Sequence, residues 1–194
     1  MIFDNFWTFT AQFVSFSSQE KEQIKRQFTI RDVPKHHVLI DIGQVADEIY
    51  FINKGCMRFY YLTEEGEEVT GFIFLENMMA GSSESFFSRI PSSQVVETLE
   101  ESELLVVTHN SLEQLYSSVP KMNILVRKIL EQRMAFAQKV VASLIIHKPQ
   151  DRYSSYQQLH PDLENRIPQH ILASYMGITP VSLSRIRKRL SKGE

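Results

Sequence analysis

Residues 121–147 contain neither proline nor glycine, and Pro149 stops the run. At 1.5 Å per residue this predicts a helix of roughly 40 Å, long for a chain of 194 residues. Leu130, Met134, Ala137, Val141 and Leu144 step by 4, 3, 4 and 3, which is an a/d seam. Two arrangements meet that spacing: a helix lying on its own domain, or a parallel dimerisation contact with a second copy. The rod divides the chain into residues 1–120, the helix 121–147, and residues 148–194.

The last segment carries the most specific pattern. Pro168 suits the first turn of a helix, and Leu172 and Met176 lie one turn apart on one face. Ala173 is small where a second helix must cross, and Gly177 can take the positive φ that ends a helix abruptly. Thr179 then caps a new helix with Pro180 at its first position, and Leu183, Ile186 and Leu190 form the inward face. This is a helix-turn-helix. Its second helix leaves Val181, Ser182, Arg185, Lys188 and Arg189 outside the apolar face, as a helix laid in a major groove requires. With Gln169, His170 and Thr179 they are the candidate DNA-binding residues.

Net charge conceals this segment. The whole chain is −2, but residues 148–194 hold eight basic against four acidic side chains, so they are +4 and residues 1–147 are −6. Five of the eight cations fall within 185–192.

The first half reads as an α+β arrangement. Phe6, Phe9, Phe13 and Phe16 are spaced 3, 4, 3, which places four rings on one face of a helix packed on a core. Ser17 and Glu20 match a capping box opening a second helix to about Phe28. Short β-branched and aromatic runs then follow at residues 37–42, 48–52, 57–62, 68–75, 95–99 and 103–107, separated by Gly-containing turns. They predict an antiparallel barrel or sandwich. Asn110 and Glu113 offer a cap for a helix over 112–118, and Pro149–Leu159 predicts another before a break at Pro161 and two short helices.

Composition excludes several classes. Cys56 is the only cysteine, so no disulfide scaffold, four-cysteine zinc site or protein-ligated iron–sulfur cluster is available from this chain, and a reducing cytoplasm is the expected setting. Met1–Phe16 lacks the basic region of a signal peptide, and no stretch approaches the apolar length of a membrane span. His36 and His37 are neighbours that a strand would point to opposite faces, so no metal site is expected. No nucleophile elbow, phosphate loop or ligand cluster marks an enzyme.

At this point the whole chain resembles the bacterial transcription regulators of the cyclic-AMP receptor protein and fumarate–nitrate regulator family. Gly43–Gly55, an apolar strand bracketed by two glycines, resembles the family's β-roll signature, and Gly81 falls where its phosphate-binding cassette starts. The resemblance implies a jelly-roll-like antiparallel β-roll effector domain, a long dimerisation helix and a small all-α helix-turn-helix domain. It also implies a homodimer with double-stranded DNA and RNA polymerase as partners, and no enzymatic activity or membrane association.

The sequence departs from the family at two places. Cyclic-nucleotide binders follow the cassette glycine with a Glu for the ribose and, about ten residues on, an Arg-Ser/Thr pair for the phosphate; this chain has Ser82 and Ser92-Ser93. Without those charge-assisted hydrogen bonds, worth about 1.5–3 kcal/mol each, no tight binding of cyclic AMP is predicted, and no cofactor is expected. Gly81, Ser82, Ser83, Arg89, Ser92 and Ser93 remain as a polar loop for some other small effector, or the β-roll senses nothing. Arg89 and Glu84 either stand in for the missing pair or bind each other. At the other end, the family's wing follows the recognition helix, whereas Glu194 stands four residues past Leu190. Either the wing is absent or phosphate contacts come from Arg187, Lys188, Arg189 and Lys192. Pro180-Val181 replaces the Arg-Glu pair that opens the recognition helix of the cyclic-AMP receptor protein, so DNA preference should differ. A further reading is a ligand-binding or protein-interaction module with a degenerate helix-turn-helix that does not read DNA.

Overall fold

The computed structural model describes residues 2–191. Two helices open the chain, α1 (Ile2–Ala11) and α2 (Ser18–Gln27). Five strands follow: β1 (Phe28–Val33), β2 (Val38–Ile40), β3 (Glu48–Lys54), β4 (Met57–Leu62) and β5 (Glu68–Phe74). After β6 (Met79–Ala80) come the short α3 (Ser83–Ser88), β7 (Val95–Thr98), β8 (Ser102–Thr108) and α4 (His109–Ser118). The rod α5 (Lys121–Ile146) leads to α6 (Pro149–Leu159), α7 (Leu163–Arg166), α8 (Gln169–Tyr175) and α9 (Pro180–Leu190).

The strands form two four-stranded sheets, ordered β1-β8-β3-β6 and β2-β7-β4-β5, with every pairing antiparallel. Alternation along β4 shows how the roll closes. Met57 and Phe59 join the interior with Phe51, Phe74, Val96, Leu104 and Leu105. Arg58 and Tyr60 stand on the opposite face, where Arg58 is only 4% exposed. Its guanidinium pairs with Glu97 at 2.6 Å, with Glu68 and with Thr70, and lies over the Tyr60 ring at 4.2 Å.

The turn between β3 and β4 depends on glycine. Gly55 has φ of +108°, and a Cβ there would fall 2.3 Å from Ser102 Oγ and 2.8 Å from its Cα. No side chain fits that approach.

Several boundaries differ from the sequence reading. Helix α1 ends at Ala11, with Phe13 and Val14 N–H both donating to the Thr10 carbonyl. Extending it would deny Ser17 the extended backbone (ψ 164°) that its capping box with Glu20 needs. Phe16 therefore reaches the core from a loop. The cap of α4 is Thr108, whose hydroxyl accepts from Ser111 N–H, because β8 runs straight into the helix. The 37–42 run contracts to β2, and β1, β6, α3 and the one-turn α7 have no counterpart in the sequence pattern.

Helix α5 uses two faces. Met122 and Leu125 are buried in the β-roll core, Ile129 packs against it, and Phe136 meets Phe72 edge-on at 5.5 Å. Leu130, Met134, Val141 and Leu144 point away, with Met134 63% and Val141 56% exposed. The helix thus lies on its own domain and presents the a/d seam outward.

Candidate functional site

Helix α8 ends as its sequence requires. Gly177 has φ of +65°, its N–H donates to the Ser174 carbonyl, and Ile178 N–H donates to the Ala173 carbonyl. That is the Schellman pattern, which needs a left-handed residue at its centre. Two residues on, the Thr179 hydroxyl accepts from Ser182 N–H at 3.2 Å and Pro180, which has no N–H to satisfy, occupies the first turn of α9. Leu172, Ala173, Met176, Leu183 and Ile186 are buried between the two helices.

On the outer face of α9, Val181, Arg185, Lys188 and Arg189 are exposed and Ser182 is half-buried, with Thr179, Gln169 and His170 exposed beside them. Among the described residues, Arg185, Lys188 and Arg189 have no carboxylate within 4.0 Å. Arg187 differs. It turns inward, donating to the Tyr153 hydroxyl at 3.1 Å and pairing with Glu164 at 3.3 Å. The residue expected to contact phosphate is thus held within the C-terminal unit in this structure, and Lys192 lies outside the described residues.

The helix-turn-helix unit is fastened at two places. Arg152 donates to the carbonyl of His147 (2.8 Å) at the end of α5 and to the carbonyl of Met176 (2.7 Å) at the end of α8. On the β-roll side, Arg166 pairs with Glu76 and Glu100 at 2.7 Å each and reaches the Gly55 carbonyl at 3.2 Å. The Ser174 hydroxyl accepts from Thr70 N–H of β5 at 2.9 Å. Between these polar ties, Cys56, Ile73 and Leu99 share one apolar cluster with Tyr153, Leu163, Ile167, Ile171 and Leu172. Burial, aided by Glu100, pushes the Cys56 thiol up to about 12. Burial would also raise Glu76, but hydrogen bonds from Arg166 and from backbone N–H groups outweigh it, so its carboxyl sits below the ordinary value.

The cassette is closed on itself. Ser82 and Ser92 are 1% and 3% exposed, and the Ser92 hydroxyl donates to Ser82 Oγ at 2.9 Å. Ser85 Oγ accepts from Ala46 N–H and donates to the Ile90 carbonyl. Arg89 pairs with Asp47 at 2.9 Å and donates to the Ala46 carbonyl at 2.7 Å, instead of meeting Glu84. Gly81 is buried and Ser93 is exposed. Ser83 is engaged from the long helix, accepting from Arg133 of α5 at 3.0 Å.

Sequence reasoning missed Arg133, Arg152 and Arg166. A signal existed for the first: Arg133 stands between Ile129 and Phe136 at helical spacing, on the side of α5 that meets the β-roll.

Two antiparallel sheets rolled around a buried core, joined by one long helix to a helix-turn-helix unit, define a cyclic-nucleotide-binding-type β-roll architecture. Residues 30–119 match the cyclic nucleotide-binding domain family. The chain is 21% identical over 173 residues to the anaerobic regulatory protein of Haemophilus influenzae, an alignment covering 84% of this chain and 66% of that protein. It therefore spans about two thirds of that relative's length. In fold it matches the c-di-GMP responsive global regulator CLP of Xanthomonas campestris with a TM-score of 0.70 at 18% identity, covering 91% of this chain and 93% of that one. The catabolite activator protein of Thermus thermophilus matches with a TM-score of 0.58 at 19% identity, covering 92% and 85%. The fold is thus similar to that of these solved regulators, in line with the fold that the sequence resemblance implied. No helix among the described residues is long and apolar enough to cross a membrane.

Proposed function

We propose that this chain is a sequence-specific, DNA-binding transcription regulator whose two copies pair along α5. The observation that carries the reading is the outer face of α9: three cations, Arg185, Lys188 and Arg189, exposed and without carboxylate partners among the described residues, beside Val181 and Ser182. An ordinary solvated helix intersperses both signs of charge. This one concentrates a single sign where a recognition helix meets the duplex. The outward seam Leu130, Met134, Ala137, Val141 and Leu144 supplies the dimer contact, and dimerisation places two recognition helices on half-sites about 34 Å apart. The β-roll acts on that geometry only through an effector that binds the two arrangements with different affinity. The closed Ser82–Ser92 pair supports an effector other than cyclic AMP.

Selection of bound duplexes from a random pool, followed by salt titration, tests this. The expected result is a two-fold symmetric consensus whose affinity falls steeply with salt. No enriched sequence would overturn it and favour the second reading, an interaction module whose helix-turn-helix serves packing. The observation behind that alternative is the docking of α7 and α8 on the β-roll through Arg166, Ser174 and the shared apolar cluster.

A further inference from the structure

Where α5 crosses the β-roll, Arg133 is enclosed without an acid. Its Nη1 donates to Ser83 Oγ at 3.0 Å, and its guanidinium carbon lies 5.0 Å from the centre of the Phe74 ring. Two other enclosed arginines are matched by acids, Arg58 by Glu97 and Glu68 and Arg166 by Glu76 and Glu100, while Arg152 spends its donors on two backbone carbonyls. Among the described residues no carboxylate lies within 4.0 Å of Arg133, and burial pushes its pKa down. A guanidinium carries five N–H donors, and one is used. The others are not sealed away as buried orphans. Arg133 borders a cleft of about 350 Å³ whose walls are Phe9, Phe72, Phe74 and Phe136 with Met78, Met79 and Ile129, and whose exposed rim carries the amides of Gln12, Asn77 and Gln132.

We propose that this cleft binds a small aromatic carboxylate, with its ring among Phe72, Phe74 and Phe136 and its carboxylate on Arg133. The volume falls in the range of small-molecule pockets, which are apolar with a few polar groups fixing orientation. Charge selects an anion, since an enclosed cation without a partner gains most from one. The aromatic walls select a flat apolar body over a sugar or a nucleotide phosphate. Only the regulatory meaning rests on the reading of the β-roll as a sensor. There, Phe72 also meets Tyr175 of α8 edge-on at 6.2 Å, so a ligand against Phe72 bears on the helix-turn-helix unit.

Titration calorimetry on the full chain with 3-phenylpropanoate, and with neutral 3-phenylpropanamide as control, tests the proposal. The carboxylate should bind at least tenfold more tightly than the amide. Arg133→Gln should weaken carboxylate binding roughly ten- to hundredfold and leave the amide unchanged, while Arg133→Lys keeps part of the preference. Circular dichroism establishes that the variants are folded. Equal affinity for acid and amide, or undiminished carboxylate binding by Arg133→Gln, overturns the proposal. So does absence of binding at millimolar ligand, including where sedimentation shows a second copy covering the cleft. Failure of DNA selection would leave this result untouched, and loss of carboxylate binding with DNA selection intact would reject the ligand alone.

Discussion

Arg166 of α7 holds Glu76 and Glu100 at 2.7 Å each, so one guanidinium from the C-terminal helical half closes on two carboxylates of the β-roll. The three side chains are each about a quarter to a third exposed, which limits the strength of the clasp. Arg166→Ala should cost about 1–2 kcal/mol of the docking between the two halves. Hydrogen exchange at the backbone of α7 and α8 measures it, and unchanged protection there would remove Arg166 from the clasp.

The same clasp sets a pH dependence. Glu76 is held below its ordinary value in the folded chain, so its contribution is fully present above the unfolded pKa of about 4.3. It is lost as pH falls through the lower folded value. Docking monitored by the same exchange should hold from neutrality to about pH 5 and weaken at more acidic pH; Glu76→Gln should abolish that acid step.

On α9, read as the recognition helix under the proposed function, Arg185→Ala should lose about 1–3 kcal/mol of affinity for the selected operator. Lys188→Ala and Arg189→Ala should weaken binding to all sequences alike. Each should also lower the slope of log affinity against log salt by about 1 for every phosphate that the side chain neutralises on each copy. Fluorescence anisotropy over a range of salt separates the two behaviours.

Inside the β-roll, removing one member of a buried ion pair leaves the other unpaired. Arg58→Ala strands Glu97, which is 9% exposed, and should destabilise by about 3–5 kcal/mol in urea unfolding. Arg58→Met with Glu97→Leu removes both charges and should recover most of that loss.

Gly177→Ala places a Cβ on a backbone with φ of +65°, where space remains because its nearest neighbours are Leu144 and Arg152 at 3.7 and 3.8 Å. The cost is therefore conformational, about 1 kcal/mol, and thermal melting reads it.

Much of this was legible in the chain. The spacing of Leu172, Ala173, Gly177, Thr179, Pro180 and Leu183 reports local requirements, and local geometry honours each of them. The rod from Lys121 was equally plain, since nothing in it breaks a helix. What stayed hidden depends on partners distant in sequence. Arg166 lies 90 residues from Glu76, and Arg187 has the same spacing signature as its neighbours on α9 but finds Glu164 and Tyr153 only after α6 and α7 fold back. The seam on α5 was ambiguous because spacing gives a stripe and not its direction. Burial of Met122 and Leu125 on the other side resolves which way it points. The cassette serines showed what was missing for a cyclic nucleotide, and only the fold shows them satisfying one another.

Cys56 is fully enclosed in the apolar cluster joining the two halves, and it is the only thiol in the chain. Its reaction with a disulfide reagent therefore requires an opening event. When reclosure outpaces chemistry, the labelling rate equals the rate of a free thiol multiplied by the open fraction. The protein thus carries its own clock for separation of the β-roll and the helix-turn-helix unit. Any ligand or duplex that favours the docked or the undocked arrangement should slow or quicken that clock, with no engineered label needed to read it.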